Sequence, residues 1–143
     1  ISETKTVKVT RVVDGDTIEV EDDNYKFKIR FVGIDTPETV HPNKQVQCFG
    51  VEASNKTKEL IEGKEIRFSL DSSQSEEDRY GRVLAYVWRA EDNLFVNEYL
   101  INEGFAKLYE TTPPFYFRDK FYELENAARQ QKRGLWGDVC TNN

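Results

Sequence analysis

The sequence predicts an α+β domain, mainly β, with five strands and three α-helices. Two patterns predict this class: apolar and polar residues alternate in several short segments, and apolar residues recur at helical spacing in longer ones. A chain of 143 residues has the size of one domain with one hydrophobic core, and it contains no internal repeat or linker. We therefore expect residues 1–143 to form a single domain.

The first part of the chain has the pattern of a three-stranded antiparallel meander. Apolar residues alternate with polar ones at 7–13 and again at 17–20, and the turn signal Asp14-Gly15 lies between the two segments. This arrangement is typical of a β-hairpin. Alternation resumes over residues 25–34, which predicts the third strand.

The rest of the chain predicts three helices and two strands, after a loop at 35–44 in which Pro37 and Pro42 disfavour regular structure. Glycines mark the helix ends, as expected for C-terminal caps. In chain order, these elements are a helix from about Gly50 to Gly63, strands at 64–70 and 83–88, a helix at 94–102 before Gly104, and a helix at 118–132 before Gly134.

The charge balance limits how the chain can bind a polyanion. The net charge is −6 and the pI is about 4.9. This argues against binding nucleic acid through a broad basic surface, because such binding grows with the number of phosphates neutralised. Any phosphate affinity must therefore be local. No apolar run approaches the roughly 20 residues that span a bilayer, so we expect a soluble chain without a membrane partner. We also expect the chain to be a monomer.

Four short motifs carry the groups that metal-assisted attack on a phosphate needs. They are Asp16 in V-D-G-D-T-I, Arg30, the run Asp35-Thr36-Pro37-Glu38, and Arg82 in D-R-Y-G-R. If the first three strands pair, Asp16 converges with Asp35, and two carboxylates with the Thr36 carbonyl suit a hard divalent cation. Each aspartate taken alone is better explained as a turn residue.

Glu38 and Arg30 add a base and a positive charge to this set. From its loop, the Glu38 carboxylate can deprotonate or orient a water, although without context an exposed loop glutamate is the better interpretation. Arg30 alternates with Ile29 and Phe31, so if those two face the core its guanidinium is free to meet a phosphate. The alternative for Arg30 is a solvated strand residue.

Arg82 supplies a second guanidinium just before the last strand. Guanidinium groups match phosphate oxygens in pairs and stay charged at any relevant pH, so two of them can offset the charge on a five-coordinate phosphorus. The alternative for Arg82 is a salt bridge to Asp78 or Glu77.

The motifs and their order resemble the staphylococcal nuclease-like (thermonuclease) family. Six segments match: V-D-G-D-T-I, V-G-I-D-T-P-E, F-G-V-E-A-S, D-R-Y-G-R-V-L-A-Y-V, V-N-E-Y-L-I-N-E-G-F-A-K and G-L-W-G. The resemblance covers about residues 7–136. It implies a five-stranded barrel of the oligonucleotide/oligosaccharide-binding type (OB-fold) with three helices.

The same resemblance implies a calcium-dependent nuclease that hydrolyses phosphodiester bonds of DNA and RNA and leaves 3′-phosphate ends, with single-stranded DNA and RNA as expected substrates. The implied calcium ligands are Asp16, Asp35 and Thr36, the implied catalytic residues are Arg30, Glu38 and Arg82, and the implied contacts to substrate phosphate are Arg79 and Tyr80. Some relatives have lost catalysis and serve as nucleic-acid- or protein-binding modules. Such a module should lack one or more of the charged groups, and this chain has all of them.

Two departures from the family pattern concern substrate binding. Arg79 stands where a lysine is usual, which keeps the charge but changes its geometry. The family's substrate-binding tyrosines have no clean counterpart, because residues 107–114 match only with a slip. Tyr109 is a candidate base-stacking residue, and the run Phe115-Tyr116-Phe117 offers further candidates whose alternative role is core packing against the last helix.

Cys48 and Cys140 are the only cysteines of the chain. We expect a disulfide that ties the tail to the start of the first helix, the alternative being two unrelated thiols. A disulfide fits an oxidising compartment and so a secreted or extracytoplasmic location. The chain begins at Ile1 without a methionine, so we expect that an initiator has been removed. The single histidine, His41, is expected to be a loop residue and not a metal ligand.

Overall fold

Five strands close into a barrel in the computed structural model, which describes residues 4–39 and 47–141. In chain order the described elements are β1 (Lys5–Asp14), β2 (Thr17–Asp22), β3 (Tyr25–Phe31), β4 (Ile34–Asp35), α1 (Gly50–Ile61), β5 (Glu65–Ser69), β6 (Val83–Arg89), α2 (Val96–Asn102), β7 (Lys107–Leu108), α3 (Arg118–Gln130), a 3₁₀ turn (Gly134–Trp136) and α4 (Asp138–Thr141). Of the loop predicted at 35–44, Asp35 belongs to β4, and residues 40–44, which include His41 and Pro42, lie outside the described residues.

The barrel order is β1-β2-β3-β6-β5, and β1 closes it by pairing with β5. The β3–β6 pair is parallel and the other barrel pairs are antiparallel. Two register shifts between β1 and β2 accompany the pairing of β1 with both of its neighbours, because irregularities of this kind bend a strand around a barrel corner. The α+β class and the five-stranded OB-type barrel with three longer helices are confirmed.

The core lies inside the barrel and extends under α2 and α3. Its fully buried members include Val9, Ile18, Ile29, Ile66 and Val87 from the strands, and Leu100, Ile101 and Phe121 from the helices. Full burial of an aliphatic side chain of this size stabilises the fold by about 1.5–3 kcal/mol.

One buried polar side chain, Asn97 of α2, ties the helix to the strands next to the cleft described below. Its Oδ1 accepts a hydrogen bond from the Val87 N–H at 2.9 Å, and its Nδ2 donates to the Val32 carbonyl at 3.0 Å. Because both partners are backbone groups, Asn97 fixes the position of β6 relative to the end of β3.

The third strand is shorter than predicted. It ends at Phe31 because Val32 and Gly33 form a turn, in which Gly33 has φ of 82° and a Cβ atom would overlap the ring of Phe115. The chain then forms β4, which pairs with β7. Asp35 is thus carried back toward the end of β3 instead of continuing along it.

The helix predictions hold with small changes at the ends. α2 begins at Val96 instead of residue 94, α3 ends at Gln130 instead of residue 132, and the short α4 near the C-terminus was not predicted. No helix within the described ranges is both long and apolar enough to cross a membrane.

The expected disulfide is confirmed. Cys48 and Cys140 are bonded, with their Cα atoms 5.7 Å apart. The bond joins the residues just before α1 to α4, so it ties the C-terminal segment to the loop that leads into the first helix.

Candidate active site

A cleft of about 760 Å³ lies where the β1–β2 turn, the end of β3 and the loops before β6 and after β7 meet. Eight of the nine residues predicted for the site line it: Asp16, Arg30, Asp35, Glu38, Arg79, Tyr80, Arg82 and Tyr109. The ninth, Thr36, lines an adjacent groove that shares Asp35 with the cleft. The fold therefore brings together residues that are far apart in sequence.

Arg30 lies between the two carboxylates that are predicted to bind a metal ion. Its Nη1 is 3.4 Å from Asp16 Oδ2 and its Nη2 is 3.3 Å from Asp35 Oδ1. Nη1 also donates to the backbone carbonyls of Phe31 at 3.0 Å and Ile34 at 2.7 Å. With only 13% of the side chain exposed, the guanidinium is fixed and not free as strand alternation suggested. The reason is the tight turn after β3, which folds the next carbonyl and carboxylate onto it.

The two carboxylates differ in environment. Asp16 is buried, and it accepts hydrogen bonds from Thr17 Oγ1 and from the Thr36 N–H, both at 3.0 Å. The Asp35 side chain is 54% exposed. Loss of hydration on one side and the negative charge of Asp16 raise the pKa of Asp35, although Arg30 opposes this shift. The raised pKa of Asp35 thus reflects its partial burial first and the nearby charge of Asp16 second.

This donor set fits a hard cation. Asp16 and Asp35 share the single positive charge of Arg30, so the trio carries one net negative charge that a divalent ion would offset. Thr36 Oγ1 is buried beside them without a hydrogen-bond partner among the described residues. No group of three or more His, Cys, Asp or Glu side chains converges within residues 4–39 and 47–141. A cation here would therefore need the Thr36 carbonyl and water oxygens besides the two aspartates.

The loop that carries Glu38 is anchored at two points. The Glu38 N–H donates to Gln47 Oε1 at 2.8 Å, and the Gln47 N–H donates to the Glu38 carbonyl at 2.9 Å. One residue later, Thr39 Oγ1 donates to Asp14 Oδ1 at 2.6 Å, and Asp14 is a buried residue of the β1–β2 turn. These contacts hold the Glu38 backbone at the edge of the cleft.

Arg82 lines the cleft and is also bound by Asp78. Its Nε donates to Asp78 Oδ2 at 2.6 Å, and its backbone N–H donates to Oδ1 at 3.0 Å, which also accepts the Tyr80 N–H at 2.9 Å. Burial by itself would raise the pKa of Asp78, but these hydrogen bonds and the Arg82 charge lower it. The salt bridge that was the alternative for Arg82 is therefore present, and Arg82 lines the cleft as well.

Two exposed tyrosines stand beside the arginines of the cleft. The Tyr80 ring is 68% exposed and lies between Arg79 and Arg82, whose guanidinium carbons are 5.0 and 5.2 Å from its centroid. Tyr109 is 53% exposed, and the guanidinium carbon of Arg30 is 5.7 Å from its ring centroid. Both rings are thus exposed and lie next to a positive charge.

The other aromatic candidates do not reach the cleft. Phe115 is 2% exposed and belongs to the core, and Phe117 packs edge-on against Tyr86 with ring centroids 4.9 Å apart. Tyr116 is exposed but does not line the cleft. Core packing was therefore the right interpretation for the two phenylalanines, and Tyr109 alone of these candidates lies at the cleft.

Sequence reasoning missed three residues with a place at this site. Lys28 lines the cleft on the same strand face as Arg30, and its spacing of two residues was the signal. Asp14 holds the Glu38 loop through Thr39, and its position in the hairpin turn hid this contact. Gln47 pairs with the Glu38 backbone, for which the sequence offers no signal.

Comparisons with known proteins give the following similarities. The staphylococcal nuclease homologue family matches residues 28–138. A thermonuclease of Staphylococcus hyicus is 40% identical over 134 residues, covering 94% of this chain and 77% of that protein. A thermonuclease of Staphylococcus intermedius is 38% identical over 128 residues, covering 90% and 74%. An uncharacterized endonuclease of Escherichia coli is 40% identical over 133 residues, covering 92% and 77%. Each match spans most of both chains.

Proposed function

The chain belongs to the staphylococcal nuclease homologue family and is a hydrolytic nuclease, and we propose that it uses calcium to hydrolyse phosphodiester bonds in DNA and RNA, leaving 3′-phosphate ends. Single-stranded DNA and RNA are its proposed substrates. One observation carries the proposal: Asp16, Asp35 and Arg30 form a connected cluster in the same cleft that Glu38 and Arg82 line. Metal-assisted attack on a phosphate needs this combination of groups.

Asp16, Asp35 and the carbonyl of Thr36 are the proposed ligands of calcium. When bound there, the ion would polarise a phosphate oxygen and offset part of its negative charge. The chain prepares this position by fixing Asp16 through Thr17 and Thr36, while Asp35 remains half-exposed and accessible from the cleft.

Glu38 is the proposed general base. Its carboxylate needs to accept a proton from a water on the side of the phosphate opposite to the leaving oxygen. The position of Glu38 on the cleft wall and the two anchors on its loop support this role, because a base must be held in place relative to the phosphorus to be effective.

Arg30 and Arg82 are proposed to stabilise the negative charge that develops on the phosphate oxygens. Asp78 takes the Nε–H of Arg82, and among the described residues we find no hydrogen bond from its terminal nitrogens, which suits a phosphate-binding group. Arg30 is committed to two carboxylates and two carbonyls, so its contribution is that of a fixed positive charge near the bound phosphate.

Arg79, Tyr80 and Tyr109 are the proposed substrate contacts. Arg79 supplies a further positive charge for phosphate, Tyr80 is proposed to contact the phosphate beside it, and the exposed ring of Tyr109 can stack on an unpaired base. Stacking requires bases that are not paired, which supports a preference for single strands. The disulfide between Cys48 and Cys140 supports a secreted or extracytoplasmic location, since such bonds persist in oxidising compartments.

The direct test is a digest of end-labelled single-stranded DNA and RNA with calcium, with magnesium and with a chelator. We expect cleavage with calcium, loss of cleavage with the chelator, and fragments whose terminal phosphate is removed by a phosphatase specific for 3′-phosphate. Glu38→Gln and Arg82→Ala should each reduce the rate by about 10²- to 10³-fold, with the fold intact by circular dichroism.

Two results would overturn the mechanism. One is cleavage that survives full chelation, and the other is a Glu38→Gln protein as fast as the wild type. Retained binding of single strands without any cleavage would instead favour a binding module of the same fold.

A further inference from the structure

The backbone of Glu38 is hydrogen-bonded to Gln47, which lies next to a disulfide-linked cysteine. Gln47 forms two hydrogen bonds with one residue: its Oε1 accepts the Glu38 N–H at 2.8 Å and its N–H donates to the Glu38 carbonyl at 2.9 Å. We call this reciprocal pair the Gln47 clamp. Because it fixes both backbone groups of Glu38, it limits the rotation and translation of the residue that carries the carboxylate.

The Gln47 clamp is attached to the body of the protein through its neighbour. Cys48 follows Gln47 directly and is bonded to Cys140 of α4. The C-terminal segment that carries Cys140 is itself anchored, since the Leu135 N–H donates to the Gly104 carbonyl at 2.8 Å and the Leu135 side chain is buried. The disulfide thus connects the Gln47 clamp to a segment that packs just after the end of α2, and this restrains its movement.

Two further contacts do not depend on the disulfide. Thr39, on the other side of Glu38, is held by Asp14, and Gln47 itself accepts a hydrogen bond at its carbonyl from the Gly50 N–H at 2.9 Å. A chain without the disulfide would therefore keep the Thr39 anchor and the start of α1, but it would lose the cross-link at the residue next to the clamp. This predicts a shift of Glu38 in a protein that stays folded.

We propose that Gln47 is a positioning residue for Glu38 and that the Cys48–Cys140 disulfide keeps the Gln47 clamp in place, so that phosphodiester hydrolysis is faster in the oxidised than in the reduced protein. This inference rests on the proposed role of Glu38 as the base. Misplacing a catalytic group by about 1 Å can reduce a rate by 10²-fold, whereas binding of substrate depends on other groups. The effect should therefore fall on kcat and not on KM.

The redox step is a simple exchange. A dithiol reductant supplies two electrons and two protons, the Sγ–Sγ bond breaks to give the thiols of Cys48 and Cys140, and the dithiol becomes a disulfide. Cys48 is exposed, so a soluble dithiol has access to the bond.

The experiment uses the full chain in three forms: oxidised wild type, dithiol-reduced wild type, and the double variant Cys48→Ser with Cys140→Ser. Two quantities are measured, the hydrogen-exchange rate of the Glu38 amide by NMR and kcat and KM on single-stranded DNA with calcium. We expect Glu38 amide exchange to accelerate at least tenfold and kcat to fall at least about fivefold on reduction, with KM unchanged. The double variant should have the Glu38 exchange rate and the kcat of the reduced protein, and adding the dithiol should change neither.

The Thr36 amide is the internal control for hydrogen exchange, because it donates its hydrogen bond to Asp16 and makes none to Gln47. Its exchange rate should not change while the protein remains folded. If the reduced forms unfold, the clamp is tested in the oxidised protein by Gln47→Met, which matches the side-chain length but lacks the acceptor, and by Gln47→Glu, which keeps an acceptor oxygen. We expect Gln47→Met to reproduce the loss of kcat and the faster Glu38 exchange, and Gln47→Glu to restore slow exchange.

The outcomes separate this inference from the proposed function. Unchanged Glu38 exchange in folded reduced protein, or in Gln47→Met, overturns the inference whatever the activity. An equal loss of kcat and rise of KM would also overturn it, because a general loosening of the cleft predicts that result. Absence of cleavage by the oxidised wild type would instead reject the proposed function. The exchange measurement would still show whether the Gln47 clamp and the disulfide hold the Glu38 backbone in place.

Discussion

The carboxylate of Asp78 accepts hydrogen bonds from both the backbone N–H and the Nε–H of Arg82, at 3.0 and 2.6 Å. These two bonds tie the side chain of Arg82 to its own loop just before β6. They orient the guanidinium with one edge toward Asp78, and they leave Arg82 as part of the cleft wall. Asp78 therefore sets the orientation of the Arg82 guanidinium in the cleft.

Replacing Asp78 should slow the reaction without removing a catalytic group. Asp78→Asn keeps the shape but loses the negative charge and weakens the bond to Nε, so we expect kcat to fall about tenfold, less than the 10²- to 10³-fold expected for Arg82→Ala. The measurement is kcat on single-stranded DNA. Glu77→Gln is the matched control, because it removes one exposed charge from the same loop. Equal effects of the two variants would show that loop charge, not the orientation of Arg82, matters.

The two aspartates next to Arg30 should differ in what their removal does. Either Asp16→Asn or Asp35→Asn removes one carboxylate from the proposed calcium site, so we expect calcium affinity to fall at least about tenfold, equivalent to 1.4 kcal/mol. Asp16 is buried with three partners whereas Asp35 is half-exposed, so only Asp16→Asn should also lower the unfolding temperature without calcium. Calorimetric titration and thermal unfolding measure the two quantities. Unchanged calcium affinity in both variants would show that neither Asp16 nor Asp35 is a calcium ligand.

The position of Asp16 beside the end of β3 could be predicted because it depends on local patterns. The Asp14-Gly15 turn and the alternation on either side of it specify a hairpin, and pairing of the third strand then places the end of that strand near Asp16. The observed register agrees, since Thr17 pairs with Arg30. The return of Asp35 toward Asp16 depends in addition on the turn at Gly33 and on the pairing of β4 with β7, which strand alternation did not predict.

The environment of Arg30 could not be predicted in the same way. Its burial depends on the turn at Gly33, and that turn is packed against Phe115 from a loop more than 80 residues later. The pairing of Gln47 with Glu38 is likewise a contact between two loops. Neither contact leaves a periodic signal in the sequence, because a loop's backbone path is set by what packs on it.

Asp71 should make the fold sensitive to acid. It is a buried acceptor for Ser73, for the Tyr116 N–H at 2.8 Å and for the Tyr86 hydroxyl at 2.5 Å. Burial favours a higher pKa for Asp71, but these hydrogen bonds outweigh it and lower its pKa. The resulting stabilisation is present above the ordinary aspartate pKa of about 4 and is lost as the pH falls through the lower pKa of the folded state.

We therefore expect Asp71→Asn to reduce the free energy of unfolding by about 2 kcal/mol at pH 7. The difference from wild type should begin to narrow below about pH 4, where the Asp71 carboxyl of the unfolded chain becomes protonated, and it should be lost as the pH falls through the lower pKa of the folded state. Unfolding in guanidinium chloride at several pH values measures the free energy of unfolding of both proteins. Asp92→Asn is the control, since Asp92 is a surface carboxylate paired with Arg89 and should change stability far less. A pH-independent difference for Asp71→Asn would contradict the linkage.

Tyr109 should contribute to binding of the strand and little to the chemical step. Its open ring face lies beside Arg30, and stacking of a base on an aromatic ring is worth about 1–3 kcal/mol. We expect Tyr109→Ala to raise KM for single-stranded DNA by about 5- to 150-fold with kcat changed little, and Tyr109→Phe to keep the wild-type KM because it keeps the ring. Tyr25→Ala removes another exposed tyrosine that does not line the cleft, so it should leave both constants unchanged. If Tyr109→Phe raised KM as much as Tyr109→Ala does, the contact would be the hydroxyl and not the ring face. A hydrogen bond to phosphate or base would then replace stacking as the explanation.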